Sequence, residues 1–396
     1  MTPAAPPPAH SSVLPALRLA RYAMGSRFEI AIDPLAGDRE AHLRACGEAA
    51  LDTIEALDRR LSLFRRDSLL SFINREAAQG PVRLDAEIFE LLRVCLEVHR
   101  VSEGAFDITV APLMRCWGFH AAESGGELDA PTEGTLASVL AHVGMQHLVL
   151  DARERTLRFA VLGLAIDLGG VAKGHALDEA AAILREEGVR RALLHGGSST
   201  VVELGEGPQS ARDGGPSDEP EIGEGWKVGI RDPLGAEDSL LAVVTLRDRA
   251  LSVSALHGRS VSANGRNYGH LLDPRTGRPA EGVLLVAVIA ASATRADAWS
   301  TALAAAGPAR FEELVGRASE IEAALMVCAP DAAPDPPPAC RSCGRDAVPP
   351  PLSAASCGPP PLLAGPSCAP DPPVAGPSWA PDLLLAGPSR EIFKLV

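Results

Sequence analysis

The sequence predicts a mixed α+β domain, and three observations lead to this fold class. Segments with strand-like alternation are interleaved with segments of helical periodicity between residues 17 and 328. Of the 396 residues, 46% are hydrophobic and 22% are charged, which is typical of a soluble folded protein. The composition then changes near residue 329. We therefore expect a flexible leader (1–16), one folded domain (17–328) and a low-complexity tail (329–396).

The first part of the domain contains two strands and two helices. The strands are predicted in "ALRLARYAMGSRFEIAID", on either side of Gly25. The helices are predicted in "REAHLRACGEAALDTIEALDRRL" and "DAEIFELLRVCLEVHRVSEG", where apolar residues recur at the three- and four-residue spacing of an amphipathic helix.

The middle of the domain continues this alternation. The segment "LRFAVLGLAIDLGG" predicts strands that end at a pair of glycines, and "AKGHALDEAAAILREEG" predicts a helix that ends at Gly188. A short strand is expected in "RALLHGG" and another in "WKVGIRDP". Between them, residues 205–224 are rich in Gly, Pro, Asp and Glu and predict a surface loop.

Charge and hydropathy exclude two kinds of partner. A formal net charge of -14 argues against nucleic-acid binding, which usually requires a basic surface. No run of about 18 apolar residues is present, so no membrane span is expected. The N-terminus lacks the charged start and apolar run of a secretory signal, and Cys46 is the first cysteine. As the sequence stands, we expect a cytoplasmic protein.

The tail has the composition of a disordered segment. It is dominated by Pro, Ala, Gly and Ser and repeats "AGPS", so it cannot bury enough apolar surface to offset its ordering entropy. A short docking motif, "REIFKLV", is the alternative for its last residues. Cys340 and Cys343 have the spacing of a zinc knuckle, but without a second pair chance is favoured over metal binding.

The Ala-rich stretch "TRADAWSTALAAAG" predicts a helix that ends at Gly307, and it carries two oxygen donors on one face. Asp297 and Thr301 are four residues apart. Carboxylate and hydroxyl oxygens are the ligands that Mg²⁺ prefers, and a backbone carbonyl from the "DLGG" turn could complete such a set. Alternatively, Asp297 caps the helix and Thr301 bonds back to its own turn.

Three further segments carry chemistry or core packing. The turn in "IDLGGVAKGHALD" leads into a helix, where amides and Lys173 could bind an anion, although a plain structural turn is equally expected. In "GHLLDPRTGRP", His270 could bind a phosphate or move a proton, or it could be structural. In "GAFDITVAPLMRCWGF", Phe106 and Trp117 either pack in the core or contact an aromatic ligand.

Seven motifs taken in order resemble the FAD:protein FMN transferase family, also called ApbE. They are "MGSRFEI", "LSLFRRDSLLSFIN", "GAFDITVAPLMRCWGF", "IDLGGVAKGHALD", "WKVGIRDP", "HLLDPRTGRP" and "ADAWSTALAAAG". The resemblance covers nearly the whole folded domain and implies a mixed, largely antiparallel sheet with packed helices. It also implies a magnesium-dependent enzyme that cleaves FAD, releases AMP and attaches FMN through a phosphoester to a Thr or Ser of a target flavoprotein.

The resemblance assigns roles to individual residues. It implies that Gly170, Asp297 and Thr301 bind Mg²⁺, with Asp297 acting in catalysis. The acceptor hydroxyl then needs a base, for which His270 is the candidate because it lies near the right motif, and a carboxylate or water is the alternative. The implied contacts with FAD are Met24, Phe64, Ala105, Phe106, Asp107, Asp167, Lys173 and Leu271. The implied acceptor carries a Ser/Thr-Gly-Ala-Ser/Thr motif.

The sequence also departs from the family pattern. Ala255 and Leu256 stand where the family often has a Thr-Ser-Gly stretch, and Phe64 replaces a tyrosine. At the end of the strand predicted in "RALLHGG", this chain has "LLHGGSST" where the family more commonly has an Asn-rich segment. The family is commonly periplasmic, yet its usual export signal and lipobox are missing. Two other functions stay open: an FAD hydrolase with water as acceptor, and a non-catalytic flavin-binding protein.

Overall fold

The computed structural model describes residues 16–120, 129–207, 225–236, 239–255, 260–263, 266–329 and 383–396. Residues 1–15 of the predicted leader, most of the predicted loop at 205–224 and the pair Cys340 and Cys343 lie outside these ranges.

The helices have the following bounds: α1 (Glu40–Leu61), α2 (Leu69–Glu76), α3 (Ala86–Val101), α4 (Ala111–Cys116), α5 (Glu133–Leu140), α6 (Ala172–Glu186), α7 (Ala293–Ala306) and α8 (Phe311–Arg317). The strands are β1 (Leu17–Ala23), β2 (Ser26–Ile32), β3 (Val82–Arg83), β4 (Leu148–Asp151), β5 (Thr156–Phe159), β6 (Ala192–Gly196), β7 (Thr200–Leu204), β8 (Trp226–Arg231), β9 (Leu240–Leu246), β10 (Ala250–Ala255), β11 (Ser260–Ala263), β12 (Arg266–Gly269), β13 (Leu272–Asp273), β14 (Arg278–Pro279), β15 (Val283–Ala290), β16 (Ile321–Cys328), β17 (Leu383–Ala386) and β18 (Phe393–Leu395).

An eight-stranded sheet with the order β1-β2-β6-β7-β10-β15-β16-β17 forms the centre of the fold. Every pair of neighbouring strands in it is antiparallel. Helices α1, α6 and α7 pack on this sheet. The predicted fold class, a mixed and largely antiparallel sheet with packed helices, is confirmed.

Strands β15 and β16 are buried on both faces of the sheet. Along β15, Val286 and Val288 belong to the core under the helices, whereas Leu285, Ala287 and Ile289 belong to a second core. That second core lies against β8 and β9, which form a three-stranded sheet with β18. An antiparallel strand covered on both faces is apolar at nearly every position, and the sequence "VLLVAVIA" has this pattern.

The predicted helices agree with the structure, and one predicted strand does not. Helix α6 ends just before Gly188, whose φ of 83° lies in the left-handed region that favours glycine. Residues 164–168, predicted as a strand before the glycine pair, are not paired in a sheet. Instead, the Asn74 side chain bonds both backbone groups of Ile166, at 2.9 and 2.8 Å, and satisfies this buried segment.

The prediction of a disordered tail over the whole of 329–396 is wrong for its last residues. Strand β17 pairs with β16 and extends the large sheet, and β18 pairs with β9. Phe393 is only 5% exposed and packs in the second core. The segment "REIFKLV" is therefore part of the domain. Its packing is favoured because it covers a strand edge that would otherwise be unpaired and completes the second core. The composition of the segment does not reveal this.

In the part of the chain that the structure describes, every helix is too short or too polar to span a membrane.

We predict that Phe393→Ala lowers the free energy of unfolding by about 3 kcal/mol, because it leaves a cavity in a packed core. Leu395→Ala is the matched control. Leu395 lies on the same strand and is 48% exposed, so this variant should lower the free energy of unfolding by well under about 1 kcal/mol. Urea denaturation of both variants measures the difference. Equal stabilities would mean that the C-terminal strand does not contribute to the core.

Glu203 is a fully buried carboxylate on β7. Neither of its carboxyl oxygens has a well-formed hydrogen bond within the described residues. Burial, and to a smaller extent the nearby Asp248, raise its pKa to about 8, and the opposing effects of the backbone amides of Asp248 and Arg249 are smaller. The folded protein therefore holds a neutral, protonated Glu203 at pH 7.

This protonation makes stability pH dependent. The folded-state pKa of about 8 lies above the ordinary value of 4.5. The contribution of this shift to folding stability is therefore fully present below pH 4.5 and is lost as the pH rises through about 8. Glu203→Gln cannot ionise and should remove this loss, so that the variant gains stability relative to the parent by a few kcal/mol between pH 5 and pH 9. Thermal unfolding across this range tests it.

Glu206→Gln, which changes a partly exposed carboxylate nearby, serves as the control and should keep the pH dependence of the parent. Identical pH profiles for the parent and Glu203→Gln would contradict the assignment of a buried, protonated Glu203.

Candidate functional site

A cleft of about 790 Å³ opens between the start of α6, the face of α7 and the turn between β1 and β2. This volume lies within the range of small-molecule sites. All of the predicted site residues line this cleft: Met24, Phe64, Ala105, Phe106, Asp107, Asp167, Gly170, Lys173, His270, Leu271, Asp297 and Thr301. The fold thus gathers residues from distant segments of the chain at one place.

Asp297 is buried in the wall of the cleft and does not cap its helix. Ser292 is the N-cap of α7, and its hydroxyl accepts a hydrogen bond from the Arg295 amide. The Asp297 carboxylate accepts bonds from the Gly174 amide at 3.0 Å and from the Ser252 hydroxyl at 3.1 Å. The alternative in which Asp297 caps α7 is therefore wrong.

Thr301 lies one turn along α7 from Asp297 and faces the glycine turn. Its hydroxyl is 3.5 Å from the carbonyl oxygen of Gly170, which belongs to "DLGG". The alternative in which Thr301 bonds back to its own helix is not what the structure has. A carboxylate, a hydroxyl and a backbone carbonyl therefore meet at one wall, and these hard oxygen donors fit the coordination preference of Mg²⁺.

The charge of Asp297 is only partly compensated by the protein. Burial raises the pKa of its carboxyl, and the opposing effects of Lys173, the Gly174 amide and the Ser252 hydroxyl are smaller. A buried carboxylate is costly without further compensation. A cation at this wall would supply it.

Helices α6 and α7 are joined at two points one turn apart. At the first, Gly174 has no room for a side chain, because a Cβ there would lie 2.2 Å from the Ala293 carbonyl oxygen. At the second, the Asp178 carboxylate accepts bonds from the amides of Ala293 and Thr294 at 2.9 and 2.8 Å. These contacts fix the position of Asp297 relative to the start of α6.

The turn before α6 places Asp167 and Lys173 in the cleft. One carboxylate oxygen of Asp167 accepts from the Gly169 amide at 2.8 Å. The other lies 3.1 Å from Nε2 of His120. Lys173 is in the first turn of α6, where the amides and the helix dipole also favour an anion.

His120 is a cleft residue that the sequence analysis did not identify. Its ring contacts the ring of Phe64 edge to face, with 5.9 Å between centroids, and Phe64 is 65% exposed at this wall. The only signal available was its place directly after "WGF", and a single histidine at such a place carries little information. Gly196, Gly197 and Ser199 of "HGGSST" also line the cleft.

The "GAFD" segment has a largely structural role around the cleft. Asp107 accepts bonds from the Thr109 amide at 2.7 Å and the Met145 amide at 3.1 Å, so its carboxylate is committed to holding this loop. Phe106 is 2% exposed and both packs in the core and lines the cleft. Trp117 instead packs against Tyr268 and donates to the Gly277 carbonyl, which resolves its two alternatives in favour of the core.

His270 and Leu271 enter the cleft from the chain segment before the β13–β14 hairpin. The hairpin is held by its own turn, as predicted: the Asp273 carboxylate accepts from the Arg275 amide at 3.0 Å and from the Arg275 guanidinium at 2.8 and 3.0 Å. The Leu271 carbonyl accepts from the Ala280 amide at 2.8 Å. This frame positions the neighbouring His270.

Comparisons with known proteins agree with this geometry. A family model described as the ApbE family matches residues 24–325, a range that includes every cleft residue named above. The FAD:protein FMN transferase of Escherichia coli strain K12 is 29% identical over 318 residues, which are 79% of this chain and 84% of that protein.

Two solved structures are also similar. The crystal structure of the ApbE protein from Thermotoga maritima gives a TM-score of 0.67 at 27% identity and covers 79% of this chain and 94% of that one. The flavin transferase ApbE from Vibrio cholerae gives a TM-score of 0.66 at 25% identity, with coverage of 80% and 95%.

We predict that Gly174→Ala lowers the free energy of unfolding by about 1 to 3 kcal/mol, because the added methyl group forces α6 and α7 apart. Gly316→Ala in α8 is the control, since a Cβ there meets nothing within 4 Å and should add up to about 1 kcal/mol through helix propensity. Urea denaturation measures both. A neutral Gly174→Ala would show that the close approach is not required.

Proposed function

The chain belongs to the ApbE family, and from this we propose that it is an FAD:protein FMN transferase. The reaction cleaves FAD, attaches FMN to a Thr or Ser of an acceptor protein and releases AMP. The observation that carries the proposal is the meeting of Asp297, Thr301 and the Gly170 carbonyl in one cleft with Lys173. The names of the similar proteins from Escherichia coli and Vibrio cholerae support the same activity.

In this proposal, Asp297, Thr301 and the Gly170 carbonyl hold Mg²⁺. When bound there, the ion would stabilise negative charge on the pyrophosphate oxygens and on the departing phosphate of AMP. The partial compensation of the buried Asp297 carboxylate supports a cation at this position.

The residues of the chain would position FAD by charge and shape. Lys173 and the amides at the start of α6 favour the pyrophosphate, since a helix N-terminus attracts anions. We propose that Met24, Phe64, Phe106 and Leu271 contact the flavin nucleotide through apolar surface. Ala105, Asp107 and Asp167 line the same cleft, and we propose that they also contact FAD.

The transfer step exchanges one phosphorus–oxygen bond for another. The acceptor hydroxyl oxygen bonds to the phosphorus of the FMN half, and the bond from that phosphorus to the oxygen bridging to AMP breaks. AMP carries away the bridging oxygen. The hydroxyl proton passes to a base, for which we propose His270 because it lines the cleft and is positioned by the β13–β14 hairpin. Asp297 would act by holding the metal ion.

The test uses the full chain with FAD and Mg²⁺, with and without an acceptor domain that carries a Ser/Thr-Gly-Ala-Ser/Thr segment. Intact-mass measurement of both proteins detects covalent FMN, and chromatography detects AMP. The proposal expects FMN on the acceptor together with AMP release. AMP without protein-bound FMN would instead identify an FAD hydrolase, and FAD binding without AMP release would identify a flavin-binding protein.

We predict that Asp297→Ala lowers turnover by at least about 1000-fold, because the metal loses its only charged ligand in the proposed set and several kcal/mol of transition-state stabilisation. Thr301→Val should be milder, and Thr301→Ser, which keeps the hydroxyl, should stay close to the parent. AMP release at controlled Mg²⁺ concentration measures all three. Full activity of Asp297→Ala would refute the metal site.

A further inference from the structure

A second group of ligand-type side chains lies at the other ends of α1 and α6, away from the cleft. His42 and Cys46 are one turn apart near the start of α1, and Glu187 directly follows α6. One ligand atom from each residue lies within 4.8 Å of the other two. We propose that these three side chains form a zinc-binding site, with the imidazole, the thiolate and the carboxylate as ligands and water as the fourth.

The spacing of the sulfur and nitrogen atoms fits a shared metal ion. Cys46 Sγ lies 3.7 Å from Nδ1 and 3.6 Å from Nε2 of His42. Zinc bonds of about 2.3 Å to sulfur and about 2.0 Å to nitrogen, at a tetrahedral angle, place the two ligand atoms about 3.5 Å apart.

The histidine already has the outer contact that orients a metal ligand. Nε2 of His42 lies 3.1 Å from the carbonyl oxygen of Glu187. A metal-bound histidine usually donates its other ring N–H to such an acceptor, which fixes the tautomer. Donation from Nε2 leaves the Nδ1 lone pair for the ion, and Nδ1 lies 3.7 Å from the Cys46 sulfur.

Zinc binding at this group would change the state of the cysteine. A coordinating thiol is deprotonated when a divalent ion binds, so Cys46 would release its proton and bind as the thiolate.

The mixture of ligands selects the kind of metal, and exposure gives it access. Sulfur and imidazole nitrogen favour zinc over Mg²⁺, which prefers oxygen ligands. Cys46 is buried, whereas His42 and Glu187 are exposed, so an ion can reach the sulfur from one open side. This site is thus chemically distinct from the oxygen-lined wall of the cleft.

The position of the group indicates a structural role. Helix α1 reaches the cleft at its other end, through Asp58 and Leu61, and α6 reaches it through Lys173. From Cys46 to Leu61 the helix rises by about 22 Å, at 1.5 Å per residue. A zinc ion here would join the start of α1 to the end of α6 without touching the proposed site of transfer.

The experiment uses the untagged full chain after chelator treatment, in a Cys340→Ser, Cys343→Ser background that removes the "CRSC" pair. Zn²⁺ is titrated against a chromophoric chelator. Co²⁺ is then added as a spectroscopic probe, because a thiolate ligand gives a charge-transfer band in the near ultraviolet. We expect one zinc ion per chain, a thiolate–cobalt band, and a rise in the thermal unfolding temperature when zinc binds.

Cys46→Ser should raise the Kd for zinc at least about tenfold and remove the cobalt band, and His42→Ala should raise the Kd similarly. Cys116→Ser, a change outside the group, is the control and should match the background protein. Because His42 is exposed, His42→Ala tests the site even if Cys46→Ser fails to fold. Zinc affinity unchanged in either folded variant, or no zinc bound by the background protein, would overturn the proposal.

Discussion

The hydrogen bond from the Gly174 amide to the Asp297 carboxylate is the contact on which the cleft depends. A buried carboxylate needs compensation, and this one is reached by a backbone amide only because α6 and α7 approach closely where Gly174 lacks a side chain. Asp178 strengthens the same junction by bonding the first amides of α7. The chemistry proposed for Asp297 and Lys173 thus rests on how two helices pack.

The large sheet supplies the rigid surface beneath these helices. Strand β10 carries Ser252, whose hydroxyl donates to Asp297, and α7 packs on β10 and β15. Because β15 and β16 are covered on both faces, their positions are fixed by two cores rather than one. The C-terminal strands complete this arrangement on the far face: β17 adds to the sheet beyond β16, and Phe393 of β18 fills the second core. Residues distant in sequence from the cleft therefore support its geometry.

Much of the fold and of the cleft could be predicted from local patterns. Helices α1, α3 and α6 follow the apolar periodicity of their segments, and Gly188 follows α6 as expected. The spacing of Asp297 and Thr301 placed two oxygen donors on one helix face. Local patterns did not predict the structure where a segment bonds to a residue that is distant in the sequence. Residues 164–168 are held by hydrogen bonds from the side chain of Asn74 to Ile166 instead of by a neighbouring strand. His120 is recognisable as a cleft residue only from its contacts with Asp167 and Phe64.

The sequence by itself determined the fold class, the order of motifs and the family resemblance, because helical and strand periodicity and the residues of short turns are local properties. The tertiary structure decided between the alternatives left open for Asp297, Thr301 and Trp117, because each choice depends on which group lies opposite the side chain. It also decided that the last residues belong to the domain. Their composition resembles a disordered tail, but the edge of β16, the edge of β9 and the open side of the second core provide partners that no local pattern could reveal.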